Sequence, residues 1–185
     1  MVIQAKQFTV REFDEFVLMP ANADKLFEYI GGEVIEVPSN PYSSKIAARM
    51  LIRLGNYIEE HDLGHITGEA GGYMVSGERY APDVAFISYE KQAELATSGY
   101  NPNPPELAVE VISSDHSAEL NQLRIKVSNY LAAGTIVWVI KPDDKHIEVY
   151  EPNQPVLVLK ETEILTGKGV LTGFQLAVKD IFPQR

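Results

Sequence analysis

Apolar positions along this chain change their period several times, and each change marks an element. From Thr9 to Leu18, Phe13, Phe16 and Val17 fall at helical spacing behind a threonine suited to an N-cap, and Pro20 ends the run. A short amphipathic helix is predicted there. From Leu26 to Val37, Phe27, Tyr29, Val34, Ile35 and Val37 surround Gly31-Gly32, which reads as a β-hairpin with a tight glycine turn. Pro38 to Pro41 interrupts it. Ser43 or Ser44 can then cap a helix running to about Glu60, with Ile46, Met50, Leu54, Tyr57 and Ile58 as its apolar stripe.

Strands are predicted at His65 to Glu69, Gly72 to Ser76 and Pro82 to Ile87, separated by glycines. Tyr89 to Pro105 combines a short helical pattern with the run Asn101-Pro102-Asn103-Pro104-Pro105, a surface connection able to cover a site. Glu106 to Ile112 is the next strand, Ser117 to Ala133 a helix ended by Gly134, and Thr135 to Ile140 a continuous apolar strand of the kind buried on both faces. Together these make a βαβ crossover. A turn at Pro142-Asp143-Asp144 leads to strands at Ile147 to Tyr150, Val156 to Leu159 and Gly169 to Val178, a β-rich end. The predicted class is α/β, with residues 1–185 as one domain, since 185 residues at 45% hydrophobic content suffice for one substantial core but not two.

Composition narrows the chemistry. The most hydrophobic stretch, Thr135 to Ile140, is far shorter than the roughly 20 residues of a bilayer-spanning helix, and no charged-then-apolar leader follows Met1, so a cytoplasmic protein without membrane association is expected. With no cysteine, disulfide frameworks, thiolate zinc sites and cysteine nucleophiles are excluded. A net charge of −10 opposes broad attraction to nucleic acid, whose nonspecific affinity comes from Lys and Arg at phosphates. Local distribution can offset this. Lys45, Arg49 and Arg53 follow one another at i,i+4 and would line up on a helix, with Arg124 on the later helix as a further candidate contact. An ordinary solvated helix face accounts for the same stripe.

Two carboxylates stand where charge needs a reason. Asp83 sits in Ala81-Pro82-Asp83-Val84-Ala85-Phe86, and Glu110 in Glu106-Leu107-Ala108-Val109-Glu110-Val111-Ile112. Strand alternation places Leu107, Val109 and Val111 on one face and Ala108, Glu110 and Ile112 on the other. A buried carboxylate costs several kcal/mol unless it is paired or metal-bound, so two on neighbouring strands point to a site.

Pro82-Asp83 followed by Glu110 in a βαβ context resembles the PD-(D/E)xK nuclease superfamily, and the details resemble its Uma-two branch of restriction-endonuclease-like proteins. The similarity runs from Tyr29-Ile30-Gly31-Gly32-Glu33 to Leu171-Thr172-Gly173-Phe174; its most specific part is Leu107 to Ser113, then Lys126, Tyr130 and Gly134 at steps of four, then Trp138. The resemblance implies a restriction-endonuclease-like core of helix, three strands, helix and strand, with an N-terminal hairpin and a β-rich C-terminal extension. It implies Mg²⁺ or Mn²⁺ held by Asp83 and Glu110, a catalytic lysine, and hydrolysis of DNA phosphodiesters. The superfamily's lysine, two residues after the glutamate, is replaced here by Ile112; the branch takes it from the following helix, which makes it Lys126. That helix presents Leu120, Leu123, Val127, Tyr130 and Leu131 to the sheet with Lys126 on the flank, where a long stem can bury while the ammonium reaches over the sheet's edge. Glu33, after the glycine turn, is the candidate for an additional metal-binding acid. Where the family often carries a histidine, at the start of the earlier helix, this chain has Ser43-Ser44. A homodimer is expected, because cutting both strands of a duplex is easiest for two one-site copies on a two-fold axis.

Other motifs carry less. His61 and His65 have the spacing of a zinc pair, but Gly64 interrupts them and no third ligand is near. The glycines of Gly68 to Gly72 and Thr166 to Gly169 lack P-loop spacing and read as turns. Ser113-Ser114-Asp115-His116 reads as a helix cap by Ser114 or Asp115, since a catalytic triad is assembled from opposed elements. Besides the metal-dependent nuclease, one reading of another class stands: a catalytically silent nucleic-acid-binding or assembly module that keeps the fold, which the acidic composition favours.

Overall fold

In the computed structural model, which describes residues 7–37, 40–112 and 117–182, the first element is α1 (Val10–Val17), closed by a reciprocal cap. Thr9 Oγ1 accepts the Glu12 N–H at 3.2 Å, and the Thr9 N–H donates to Glu12 at 2.8 Å. Strands β1 (Phe27–Ile30) and β2 (Glu33–Glu36) form the expected hairpin. Its two loop residues, Gly31 and Gly32, both have positive φ (60° and 88°), as a type I′ turn requires.

Helix α2 (Pro41–Glu60) begins three to four residues earlier than a serine cap at Ser43 or Ser44 suggested. Asn40 is the N-cap, accepting the N–H groups of Tyr42 and Ser43, and Pro41 takes the first position, where a missing N–H costs nothing. Next come β3 (Gly64–Gly68), β4 (Tyr73–Val75), β5 (Glu78–Tyr80) and β6 (Val84–Ser88). The segment Tyr89 to Pro105 holds no helix. The side-chain amides of Gln92, Asn101 and Asn103 bond one another at 2.6–3.0 Å, an arrangement that competes with helical backbone pairing. Then follow β7 (Leu107–Val111), α3 (Ser117–Ala132), β8 (Ile136–Lys141), β9 (His146–Tyr150), β10 (Leu157–Lys160), β11 (Ile164–Thr166) and β12 (Gln175–Ala177). The Gly169 to Val178 strand is thus shorter than expected: it opens with a helical turn at Gly169–Leu171, and β12 pairs with β11. Ser113 to His116 lie outside the described residues.

The main sheet has the order β10-β9-β8-β7-β6-β3, with β7 and β8 parallel and joined through α3. The core is the expected series of helix, three strands, helix and strand. The hairpin β4–β5, however, leaves it and joins the N-terminal hairpin in a second sheet, β2-β1-β5-β4. One face of the main sheet, through Phe86, Val109, Trp138 and Ile140, packs on Ile46, Met50 and Leu54 of α2 and on Leu165, Phe174 and Leu176 of the C-terminal segment. The other face, through Ala85, Ala108, Val137 and Val139, meets Leu123, Val127 and Tyr130 of α3 and Ile30, Tyr73 and Tyr80 of the second sheet. On that sheet's far side, Phe27 and Tyr29 pack against Phe13 of α1. Because β1 alternates, Glu28 and Ile30 face inward.

Candidate active site

The β6–β7 register pairs Val84 with Val109 and Ala85 with Ala108, so one step further Asp83 stands opposite Glu110 on the face shared by the two alanines. The backbone N–H of Val111 donates to Asp83 Oδ2 at 2.6 Å. Helix α3 crosses this face and lays Lys126 across it. The Lys126 ammonium lies 2.7 Å from Glu110 Oε2 and 2.8 Å from Glu28 Oε1, and the Tyr130 hydroxyl donates to Glu110 Oε1 at 3.2 Å. Lys126, Glu110 and Glu28 are 6, 4 and 7% exposed. Lys126 therefore belongs to the buried stripe of α3 rather than to its flank, its stem covered and its charge matched.

These groups end in a cleft of about 570 Å³ whose walls include Leu26, Ile35, Val37, Ser43, Ser44 and Ile112. Among the described residues, its lining brings the carboxylates of Glu28, Glu69, Asp83, Glu110 and Glu119 around one ammonium, that of Lys126. The imbalance shows in their protonation. Burial pushes the Asp83 carboxyl up to about 6; the Val111 amide and Lys126 pull it down, and Glu69 and Glu28 push it further up. Burial likewise raises Glu110, against the pull of Lys126 and with the help of Glu28 and Asp83. For Lys126, burial favours the neutral amine, but Glu110 and Glu28 outweigh it and hold the ammonium charged.

A hard divalent cation suits this donor set in kind: carboxylate oxygens only, with negative charge in excess. Among the described residues, Asp83 commits Oδ2 to the Val111 amide and keeps Oδ1, and the Glu110 oxygens retain lone pairs beside those that Lys126 and Tyr130 use. Among the described residues, no three His, Cys, Asp or Glu side chains stand ready as a closed metal cage. Between Glu28 and Glu110 the compensating charge is the lysine's.

The structure thus brings Asp83, Glu110 and Lys126 together and leaves other expected residues out. Glu33 is exposed where β2 begins and does not line the cleft; the hairpin's acid at the site is Glu28, because on β1 it is the inward member of the alternation. Glu28 carried the same sequence signal as Glu110, a carboxylate inside an apolar strand run, in Phe27-Glu28-Tyr29-Ile30. Glu69, in a segment that reads as a plain turn, also reaches the rim. Lys45, Arg49, Arg53 and Arg124 do not line the cleft. Lys45 and Arg53 are exposed on α2, whereas Arg49 donates to the Asp180 carbonyl at 2.6 Å and fastens the helix to the C-terminal segment. Arg124, on the outer face of α3, meets Asn121. The basic stripe is therefore broken at its centre by a packing contact. His61 is exposed and stacks on Tyr57, and His65 Nε2 meets the Ala93 carbonyl.

Comparison with known proteins agrees with this fold. The family model Uma2, described as "Putative restriction endonuclease", matches residues 13–179. The fold is similar to that of a solved "putative nuclease belonging to DUF820" from Anabaena variabilis ATCC 29413, at 20% identity and a TM-score of 0.78 over 95% of this chain and 97% of that one. No curated protein matches the chain.

Proposed function

The chain belongs to the Uma2 family of restriction-endonuclease-like proteins, and on that footing we propose that it hydrolyses DNA phosphodiester bonds in a reaction dependent on Mg²⁺ or Mn²⁺, with Asp83 and Glu110 holding the cation and Lys126 as the catalytic lysine. The observation that carries the reading is the buried Lys126 ammonium 2.7 Å from Glu110, on the strand face that also presents Asp83 to an open cleft. Bound there, a divalent cation would acidify a water molecule and neutralise charge on the scissile phosphate.

The chain's own groups do the rest. The Val111 amide fixes Asp83, and the Tyr130 hydroxyl together with Lys126 fixes Glu110, so neither carboxylate has to reorganise as charge develops. Lys126 offers a donor that its two carboxylate partners keep charged, held out of bulk water, for the nucleophile or for an oxygen of the five-coordinate phosphorus. We extend the reading to a homodimer, since two one-site copies are needed to cut both strands together; sedimentation of the free protein and its DNA complex tests this.

Nicking of supercoiled DNA tests the proposal. Wild-type protein is expected to nick in Mg²⁺ or Mn²⁺ and not in chelator, its melting temperature is expected to rise with the cation, and Asp83→Asn and Glu110→Gln are expected to lose cleavage by on the order of 10²–10³-fold. If neither cation supports nicking or shifts the melt, the enzyme reading fails. Metal-independent DNA binding would then favour the silent binding module.

A further inference from the structure

We propose that Glu28 is a positioning residue for the catalytic lysine: it holds the Lys126 ammonium against Glu110 and ties both to the segment that delivers Asp83, which makes the N-terminal hairpin part of the catalytic apparatus. The inference rests on the reading of Lys126 as catalytic and adds a residue from outside the core of helix, three strands, helix and strand.

Geometry carries it. Glu28 Oε1 accepts from Lys126 Nζ at 2.8 Å and from the Ala81 N–H at 2.7 Å, and Ala81 is followed directly by Pro82-Asp83. One carboxylate oxygen therefore anchors the lysine and the entry to β6 together. An ammonium has three donors. Two are used here, on Glu28 and Glu110, and the Tyr80 ring lies 5.7 Å from Nζ, leaving one N–H for a reacting group. With Glu110 alone, the four-carbon stem would leave the ammonium free to swing about a single bond.

Glu28 is itself held firmly. Its strand neighbours Phe27 and Tyr29 pack under Phe13 of α1 on the opposite face, and Tyr29 pairs in register with Arg79 of β5. A plain structural ion pair would need one carboxylate per lysine. A second acid leaves excess buried negative charge, which costs stability, so its retention asks for another reason. Holding a reacting group in place is such a reason, because a displacement of about 1 Å can cost on the order of 100-fold in rate.

The test uses the full chain with ¹⁵N in its lysine side chains. In the wild type the Lys126 ammonium should give a slowly exchanging N–H signal, and in Glu28→Gln that signal should broaden away while the fold survives. In the nicking assay with Mg²⁺, Glu28→Gln should lower kcat about 100-fold with KM changed less than about 3-fold, and Glu28→Asp should recover part of the loss. Because Glu28 acts through Lys126, the double variant Glu28→Gln/Lys126→Ala should be no slower than Lys126→Ala alone. If Glu28→Gln does not fold, Glu28→Asp carries the same ammonium and kcat readouts with smaller changes. An unchanged ammonium signal, a double variant slower than Lys126→Ala, or loss of Mn²⁺ binding in Glu28→Gln would overturn the assignment, the last by making Glu28 a cation ligand. Should the ammonium depend on Glu28 while no variant, nor the wild type, cuts DNA, the nuclease reading fails and the tie between Glu28 and Lys126 stands.

Discussion

Two buried cations tie the N-terminal sheet to its neighbours, and they are built on different plans. Arg79 on β5 meets Asp14 of α1 through two parallel bonds, Nε to Oδ1 at 3.0 Å and Nη2 to Oδ2 at 2.9 Å. The charges match one to one, and the Asp14 side chain is 43% exposed, so water shares the load. Lys126 on α3 meets two carboxylates that are as buried as itself, with Asp83 and Glu69 adding negative charge nearby. The first is a clamp between helix and sheet. The second is over-supplied with acid and open to a cleft, which a clamp does not need. Balanced charge marks packing here, and unbalanced buried charge marks the cleft to which we assign a cation and a phosphate.

Replacing the cations breaks the comparison most severely at Lys126. Lys126→Ala strands two buried carboxylates and is expected to cost about 3–5 kcal/mol in urea unfolding, together with a loss of nicking on the order of 10³-fold. Arg79→Met leaves a half-exposed Asp14 instead; about 1.5–3 kcal/mol should be lost in the same unfolding experiment, with the nicking rate of the folded protein within about 3-fold of wild type. Equal losses of activity in the two variants would erase the distinction.

A smaller effect separates the sites by pH. Folding raises Asp83 from 3.8 to about 6, so its neutral form is the one folding favours. The stability this contributes is fully present below about pH 4 and is lost as pH rises through 6. In metal-free protein, the melting temperature of wild type should therefore fall relative to Asp83→Asn between pH 4 and 7. A gap that runs the other way would place Asp83 in a charge-stabilised environment. The smallest effect belongs to the other hairpin acid: Glu33→Ala should change stability by less than about 0.5 kcal/mol and leave nicking unaltered, whereas Glu28→Gln should not.

That last contrast shows where the sequence was legible. Asp83 and Glu110 could be found because a carboxylate in an apolar strand run breaks a pattern of period two, and the pairing of β6 with β7 then sets them face to face. The same break existed at Glu28, yet a strand's alternation names a face without naming what that face meets. Arg49 shows the converse. The i,i+4 spacing correctly puts it with Lys45 and Arg53 along one helix, but its guanidinium is taken by the Asp180 carbonyl, 131 residues away.

Local pattern by itself determined the hairpin turn at Gly31-Gly32, the α3 crossover between two parallel strands, and the alternation that buries Glu110, because each depends on residues within a few positions of one another. Only the tertiary structure decided that β4 and β5 would join the N-terminal hairpin, that Glu28 rather than Glu33 would be the hairpin carboxylate lining the cleft, and that Lys126 would be buried between Glu28 and Glu110, 98 and 16 residues away in the chain. The reason is physical. Periodicity encodes which side of an element avoids water, whereas the partner across that side is chosen by packing among distant segments, and a buried charge finds its counter-charge only when those segments close.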